Sequence, residues 1–170
     1  MAILKWRLED DVDDYVKTIL ESLGLKKLID YNVKSGMSDY MKESLKGSAK
    51  TKKKANFGIP DVHIEKYKIP VVIEDKLGVN KLISQNKNGI KLDDKSVANY
   101  AVNGAIFYAQ NMVASDKYNE VIAIGIAGDS EENVKINVYY VYGSMADPKY
   151  MEMYTSLDFL VPNVHSCKYF

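Results

Sequence analysis

The 170-residue chain has one cysteine, two histidines, four prolines and a single tryptophan. One cysteine, Cys167, excludes an internal disulfide and fits a reducing, cytosolic setting. So few histidine and cysteine side chains also exclude a structural zinc site of the usual four-ligand kind. A divalent metal would have to be held by carboxylates, which favours a hard ion such as magnesium. Neither sign of charge is in excess, because 23 lysines and arginines balance 23 aspartates and glutamates. No global field draws the chain to nucleic acid or acidic lipid, so polyanion binding would need a local patch. No apolar run approaches the roughly 18 residues that cross a bilayer. The opening "MAILKWRLEDD" turns acidic too soon for a signal peptide. The expected location is the cytoplasm, with no membrane partner.

What is present suits one soluble domain with a sizeable core: 46% apolar and 27% charged residues. Residues 9–23 read as an amphipathic helix, with Val12, Val16, Ile19, Leu20 and Leu23 at helical spacing and Gly24 as its stop. "LIDYNVK" reads as a short strand, and "MSDYMKESLKG" as a second helix ending at Gly47. "DVHIEKY" and "IPVVIEDK" form an antiparallel hairpin with a turn over residues 66–69. "GVNKLISQNKNGIKLDDKS" is polar and rich in Asn and Gly, which predicts a long surface connection. "SVANYAVNGAIFYAQNMVA" predicts a buried helix capped by Ser96. "EVIAIGIAG" and "KINVYYVYG" are strong strands, and a short helix is expected within residues 149–159. The order predicts an α/β fold, a mixed central β-sheet flanked by helices.

Chemistry concentrates in "FGIPDVHIEKYKIPVVIEDKLG". Side chains at i and i+2 share a strand face, so Glu74 and Lys76 project together while Asp75 points the other way. The hairpin would bring Asp61 beside Glu74, joining two carboxylates and a lysine at one end of the sheet. Carboxylates this close need a cation between them or a proton on one. Mg²⁺, with Mn²⁺ as a substitute, answers that need, and the backbone carbonyl of Asp75 offers a further hard ligand. The bland reading of Glu74 and Lys76 is a surface ion pair, which explains the charges but not their coincidence with Asp61. The preceding segment carries Lys46, Lys50, Lys52, Lys53 and Lys54. It reads either as a solvated loop or as an arm contacting DNA phosphates. His63 is expected to be a partly exposed strand residue, and His165 carries no signal.

"PD" at Pro60 and Asp61, followed by "EDK" at Glu74, Asp75 and Lys76 after a β-branched run, resembles the PD-(D/E)xK nuclease superfamily. With "YAVNGAIFYA" downstream, the stretch is similar to the N-terminal endonuclease domains of type I restriction motor subunits and of fused restriction-modification enzymes. The resemblance spans residues 57–142 and, more weakly, the first helix. It implies a restriction-endonuclease-like core in which Asp61 and Glu74 bind metal and Lys76 is the catalytic lysine. It also implies an acidic residue early in the first helix, for which Glu9 is the candidate, and a role for Tyr108. Relatives often place a glutamine four residues before that tyrosine; here the position is Gly104, with Asn103 beside it. The implied function is Mg²⁺-dependent hydrolysis of double-stranded DNA in a restriction system. Helicase or translocase, methyltransferase and specificity modules would then act in cis or in trans, since no base-reading motif is present. The alternatives are a catalytically silent DNA-binding or assembly module and a nuclease of DNA repair or junction type.

Overall fold

The computed structural model describes residues 4–50, 57–143 and 148–162. The first helix, α1 (Glu9–Ser22), buries Val12, Asp13, Val16 and Leu20 along one face. Its start is satisfied by Asp11, whose carboxylate accepts the Arg7 and Leu8 backbone N–H groups at 2.7 and 2.9 Å. A two-residue strand, β1 (Asn32–Val33), follows and is shorter than the expected segment. Helix α2 (Asp39–Ser44) is capped by Ser38, whose hydroxyl accepts the Met41 N–H at 3.1 Å.

Strands β2 (Val62–Ile64) and β3 (Val71–Leu77) form the expected hairpin, with Val62 opposite Ile73 and Ile64 opposite Val71. The segment after β3 departs from expectation. Instead of an irregular connection it contains a 3₁₀ turn (Val79–Lys81) and a small hairpin, β4 (Gln85–Asn86) with β5 (Gly89–Ile90). Buried Asn103 pins this segment: its amide accepts the Ser84 N–H and donates to the carbonyls of Ser84 and Lys91. One side chain thereby ties both ends of the small hairpin to the long downstream helix and satisfies backbone groups that the two-strand ladder leaves over.

The long downstream helix is also divided. Asp93, rather than Ser96, caps α3 (Asp94–Asn99) by accepting the Ser96 N–H at 3.0 Å. Tyr100 is extended, and α4 (Ala101–Ala114) starts afresh behind it with eleven buried residues. Strands β6 (Glu120–Ser130) and β7 (Asn133–Tyr142) then form a long antiparallel pair. The expected helix over residues 149–159 is instead a strand, β8 (Lys149–Tyr150), and a 3₁₀ turn (Asp158–Leu160). Tyr139 on β7 stacks on Tyr150, with ring centroids 5.1 Å apart, and this edge pairing captures the segment.

The main sheet has six strands in the order β1-β2-β3-β6-β7-β8. Only β3 and β6 run parallel, joined through α3 and α4, as a parallel connection requires. The result is a mixed sheet flanked by helices, compatible with a restriction-endonuclease-like core. Val72 packs with α2 and α4 on one face, while Val71 and Ile73 pack with α1 on the other. Burial of both faces explains the nearly unbroken apolar run of β6. No helix among the described residues is long and apolar enough to cross a membrane.

Gly125 on β6 marks the closest approach of α4 to the sheet. A Cβ there would lie 2.5 Å from the Val102 nitrogen and 2.7 Å from its Cα, both backbone atoms. Gly125→Ala is therefore expected to cost about 1–3 kcal/mol of stability by overpacking, read from urea denaturation. An unchanged midpoint would mean that the helix can ride outward freely.

Candidate active site

Pro60 ends the β2 ladder, since proline cannot donate a ladder hydrogen bond. Val62 is opposite Ile73, the last printed pair before the break, so continuing the register sets Asp61 against Glu74 and Pro60 against Asp75. On the other side of β2, Val33 faces Val62, which sets Lys34 against Asp61. Lys34, Asp61, Glu74 and Gly125 thus lie in a row across four strands at one rim of the sheet.

Within that row, Asp61 is the hub. Its backbone N–H donates to Glu74 Oε1 at 3.0 Å. Its Oδ2 accepts the Asp75 N–H at 3.0 Å, standing in for the partner that the interrupted strand no longer provides. Its Oδ1 accepts from Lys34 Nζ at 2.6 Å, and the same ammonium lies 3.3 Å from Asp13 Oδ2. Asp61 and Glu74 are therefore brought together, as expected from the hairpin.

Glu74 is buried on the α4 face. Its second oxygen accepts from Lys50 Nζ, which also sits 4.7 Å from the centre of the Tyr108 ring. Lys50 thus turns inward onto the acid. Gly104 makes the arrangement possible: a Cβ there would stand 2.5 Å from Lys50 Nζ and 3.2 Å from Glu74 Oε2. The absence of a side chain at Gly104 leaves the room this lysine uses beside the helix. Tyr108 is buried beneath the pair, and burial together with the nearby Glu74 charge raises its phenol above the usual range.

Lys76 sits near Glu74 but is bonded to Glu9 at the start of α1, 3.4 Å away. Glu9 is exposed, and Lys76 is the contact it makes in this region. Asp75 points to the opposite face, towards α1, as strand alternation requires. There it meets Asp13: one carboxylate oxygen from each of Asp13, Asp61 and Asp75 lies within 4.8 Å of the others. His63 is fully buried, correcting the expected partial exposure, with Nε2 3.0 Å from the Lys34 carbonyl. Desolvation lowers its pKa, so the ring favours the neutral form. Lys52, Lys53, Lys54, His165 and Cys167 lie outside the described residues.

Two participants were not singled out in the sequence, Asp13 and Lys34. Asp13 was detectable in principle, because it falls in the buried arc with Val12, Val16 and Leu20 while the other acids of "EDDVDD" face outward or to the flank. Lys34 had no such signal, since its place depends on pairing β1 with β2 across 27 residues.

Burial dominates the electrostatics. Desolvation, reinforced by the neighbouring Asp61 charge, pushes Glu74 up to about 7 despite the opposing Lys50. Asp75 is raised by burial first and then by its contact with Asp13 and the charge of Asp61.

Comparison with known proteins places this geometry in context. The chain is 33% identical over 132 residues to the type II restriction enzyme and methyltransferase RM.BcgI of Heyndrickxia coagulans. The alignment covers 76% of this chain but 20% of that protein, so the chain spans about a fifth of its relative's length. No protein-family model matches the chain, and no solved structure matches it. The likeness ties the chain to a restriction enzyme by sequence.

A carboxyl group whose folded pKa exceeds its unfolded value binds its proton more tightly in the native state. For Glu74 that stabilisation is complete below 4.5 and is lost as pH rises through about 7. In chelator-treated protein, the stability of the wild type relative to Glu74→Gln should therefore fall between pH 4.5 and 7. Parallel denaturation profiles of the two proteins would contradict the assigned burial effect.

Proposed function

We propose that this chain is a Mg²⁺-dependent endonuclease domain of the PD-(D/E)xK kind, cutting double-stranded DNA within a restriction system. The observation that carries the reading is the meeting of Asp61 and Glu74 at the sheet rim, with Lys76 close to Glu74. The likeness to a restriction enzyme and methyltransferase supports the same reading.

The residues fit a hard divalent cation. Oxygen donors converge here, the Asp61 carboxylate beside a Glu74 carboxylate that the Asp61 N–H holds in place. Asp61 and Glu74 would hold the ion, with the Asp75 backbone carbonyl as a further donor. When bound, it supplies a Lewis acid for a phosphodiester oxygen and an acidified water. Hydrolysis would form a P–O bond to a water oxygen and break the bond to the leaving sugar oxygen, with the proton lost by that water balanced by one taken up by the leaving oxygen from solvent. Lys76 stabilises the negative charge that grows on the non-bridging oxygens. Tyr108 supports Lys50 and walls the site, excluding water from the Glu74 carboxylate. Lys50 lies at the edge of the basic segment containing Lys52, Lys53 and Lys54, for which we propose a role in contacting DNA phosphates. Base recognition, methyl transfer and any translocation would come from other modules, in cis or in trans.

A second reading is favoured by one observation. Each ammonium at the site already has an acid: Lys34 with Asp61, Lys50 with Glu74 and Lys76 with Glu9. Such mutual neutralisation also suits a catalytically silent DNA-binding or assembly module. Magnesium titration by calorimetry separates the readings, because the silent module binds no ion at Asp61 and Glu74.

Asp61→Ala, Glu74→Ala and Lys76→Ala are each expected to reduce Mg²⁺-dependent plasmid cleavage by about a hundredfold or more while keeping native circular dichroism. Undiminished cutting by Glu74→Ala would remove that residue from the mechanism. Charge reversal of Lys52, Lys53 and Lys54 should weaken DNA binding and flatten its dependence on salt. An unaltered salt slope would show that the segment does not touch phosphate.

A further inference from the structure

We propose that the α1 side of β3 carries a second divalent-cation site, formed by the carboxylates of Asp13, Asp61 and Asp75. It deepens the nuclease reading and rests on it only through Asp61, which the two sites share. Glu74 serves one side of the strand and Asp75 the other.

Three observations converge on this site. The three acids come from α1, from the residue before β2 and from β3, yet one oxygen of each lies within 4.8 Å of the others. Oxygens on opposite sides of a magnesium or calcium ion stand about 4–5 Å apart, given metal–oxygen bonds of about 2.0–2.6 Å. The spacing thus suits ligands around one ion with little rearrangement.

The second observation is the state of Asp75. The residue is 2% exposed, and its Oδ2 has no hydrogen-bond partner among the described residues. A carboxylate oxygen in that condition is costly unless something positive completes its surroundings. The neighbouring layer cannot supply it, because Val12, Val16, Val71 and Ile73 are apolar. Asp13 is likewise buried, so two acids face each other inside an otherwise greasy contact between α1 and the sheet.

The third is Lys34. Its ammonium bridges Asp61 Oδ1 and Asp13 Oδ2, at 2.6 and 3.3 Å, which shows that positive charge is accommodated between these carboxylates. Three carboxylates against one ammonium leave net negative charge in this cluster, which a divalent cation would reduce. Lys34 is half-exposed on a long flexible stem, so it can swing outward as the ion enters. An all-carboxylate donor set selects Mg²⁺, Mn²⁺ or Ca²⁺ over zinc. The competing occupant is a proton shared between Asp13 and Asp75.

The test is Mn²⁺ titration of the intact chain, with bound ion counted by calorimetry and by the loss of free-Mn²⁺ paramagnetic resonance. The wild type is expected to bind two ions. Asp75→Asn and Asp13→Asn should each weaken one site by about a hundredfold or more while retaining the Glu74-dependent ion. Glu74→Gln should do the reverse. Lys34→Met, which removes the competing ammonium, should tighten the Asp13–Asp75 site by about tenfold. Asp75→Asn keeps the shape of the side chain while removing a buried ionisable group, so its melting temperature in chelator should equal or exceed that of the wild type. Lost binding in that protein then cannot be ascribed to unfolding.

Two ions retained in Asp75→Asn would overturn the inference and leave the nuclease reading intact. Loss of an ion in Asp75→Asn but none in Glu74→Gln would support the inference and defeat the assigned role of Glu74. A protonated-carboxyl infrared band that persists under saturating Mn²⁺ and vanishes in Asp75→Asn would identify the occupant as a proton and overturn the inference. No bound ion in the wild type would overturn both.

Discussion

The site depends on a strand pairing that stops two residues early. Because β2 starts at Val62, the N–H of Asp75 has no strand carbonyl to meet and is taken by the Asp61 carboxylate. The Asp61 N–H in turn holds Glu74. These two hydrogen bonds lock acids from both sides of the interruption into one small volume. They also fix the direction of each carboxylate more firmly than packing alone could, since charged hydrogen bonds are short and directional.

Gathering acids this way carries a desolvation cost that the surrounding lysines offset only in part. Lys50 reaches Glu74 through the gap left by Gly104, and Lys34 spans Asp61 and Asp13. Removing one member of such a network leaves a buried charge without compensation. Asp75 remains under-compensated, and its raised pKa is the electrostatic expression of the same shortage.

The aromatic content has a different purpose. Tyr139 stacks on Tyr150 and Tyr140 on Tyr142, at 5.1 and 4.9 Å between ring centres. The first pair joins β7 to the edge strand β8, and the second lies along β7 itself.

Local pattern determined the elements whose periodicity is strong: α1, the β2–β3 hairpin, α4 and the β6–β7 pair. Alternation along β3 likewise determined that Glu74 and Asp75 would part to opposite faces. Tertiary structure alone decided the rest. The tail became β8 because the β7 edge captured it, and the polar stretch after β3 became ordered because Asn103 reached it from α4. Lys34 and Asp13 joined the site through contacts between segments distant in the chain. A one-dimensional pattern records which face a residue prefers, but not which remote charge will share that face. That choice is made only when desolvation forces buried acids and ammonium groups to find each other.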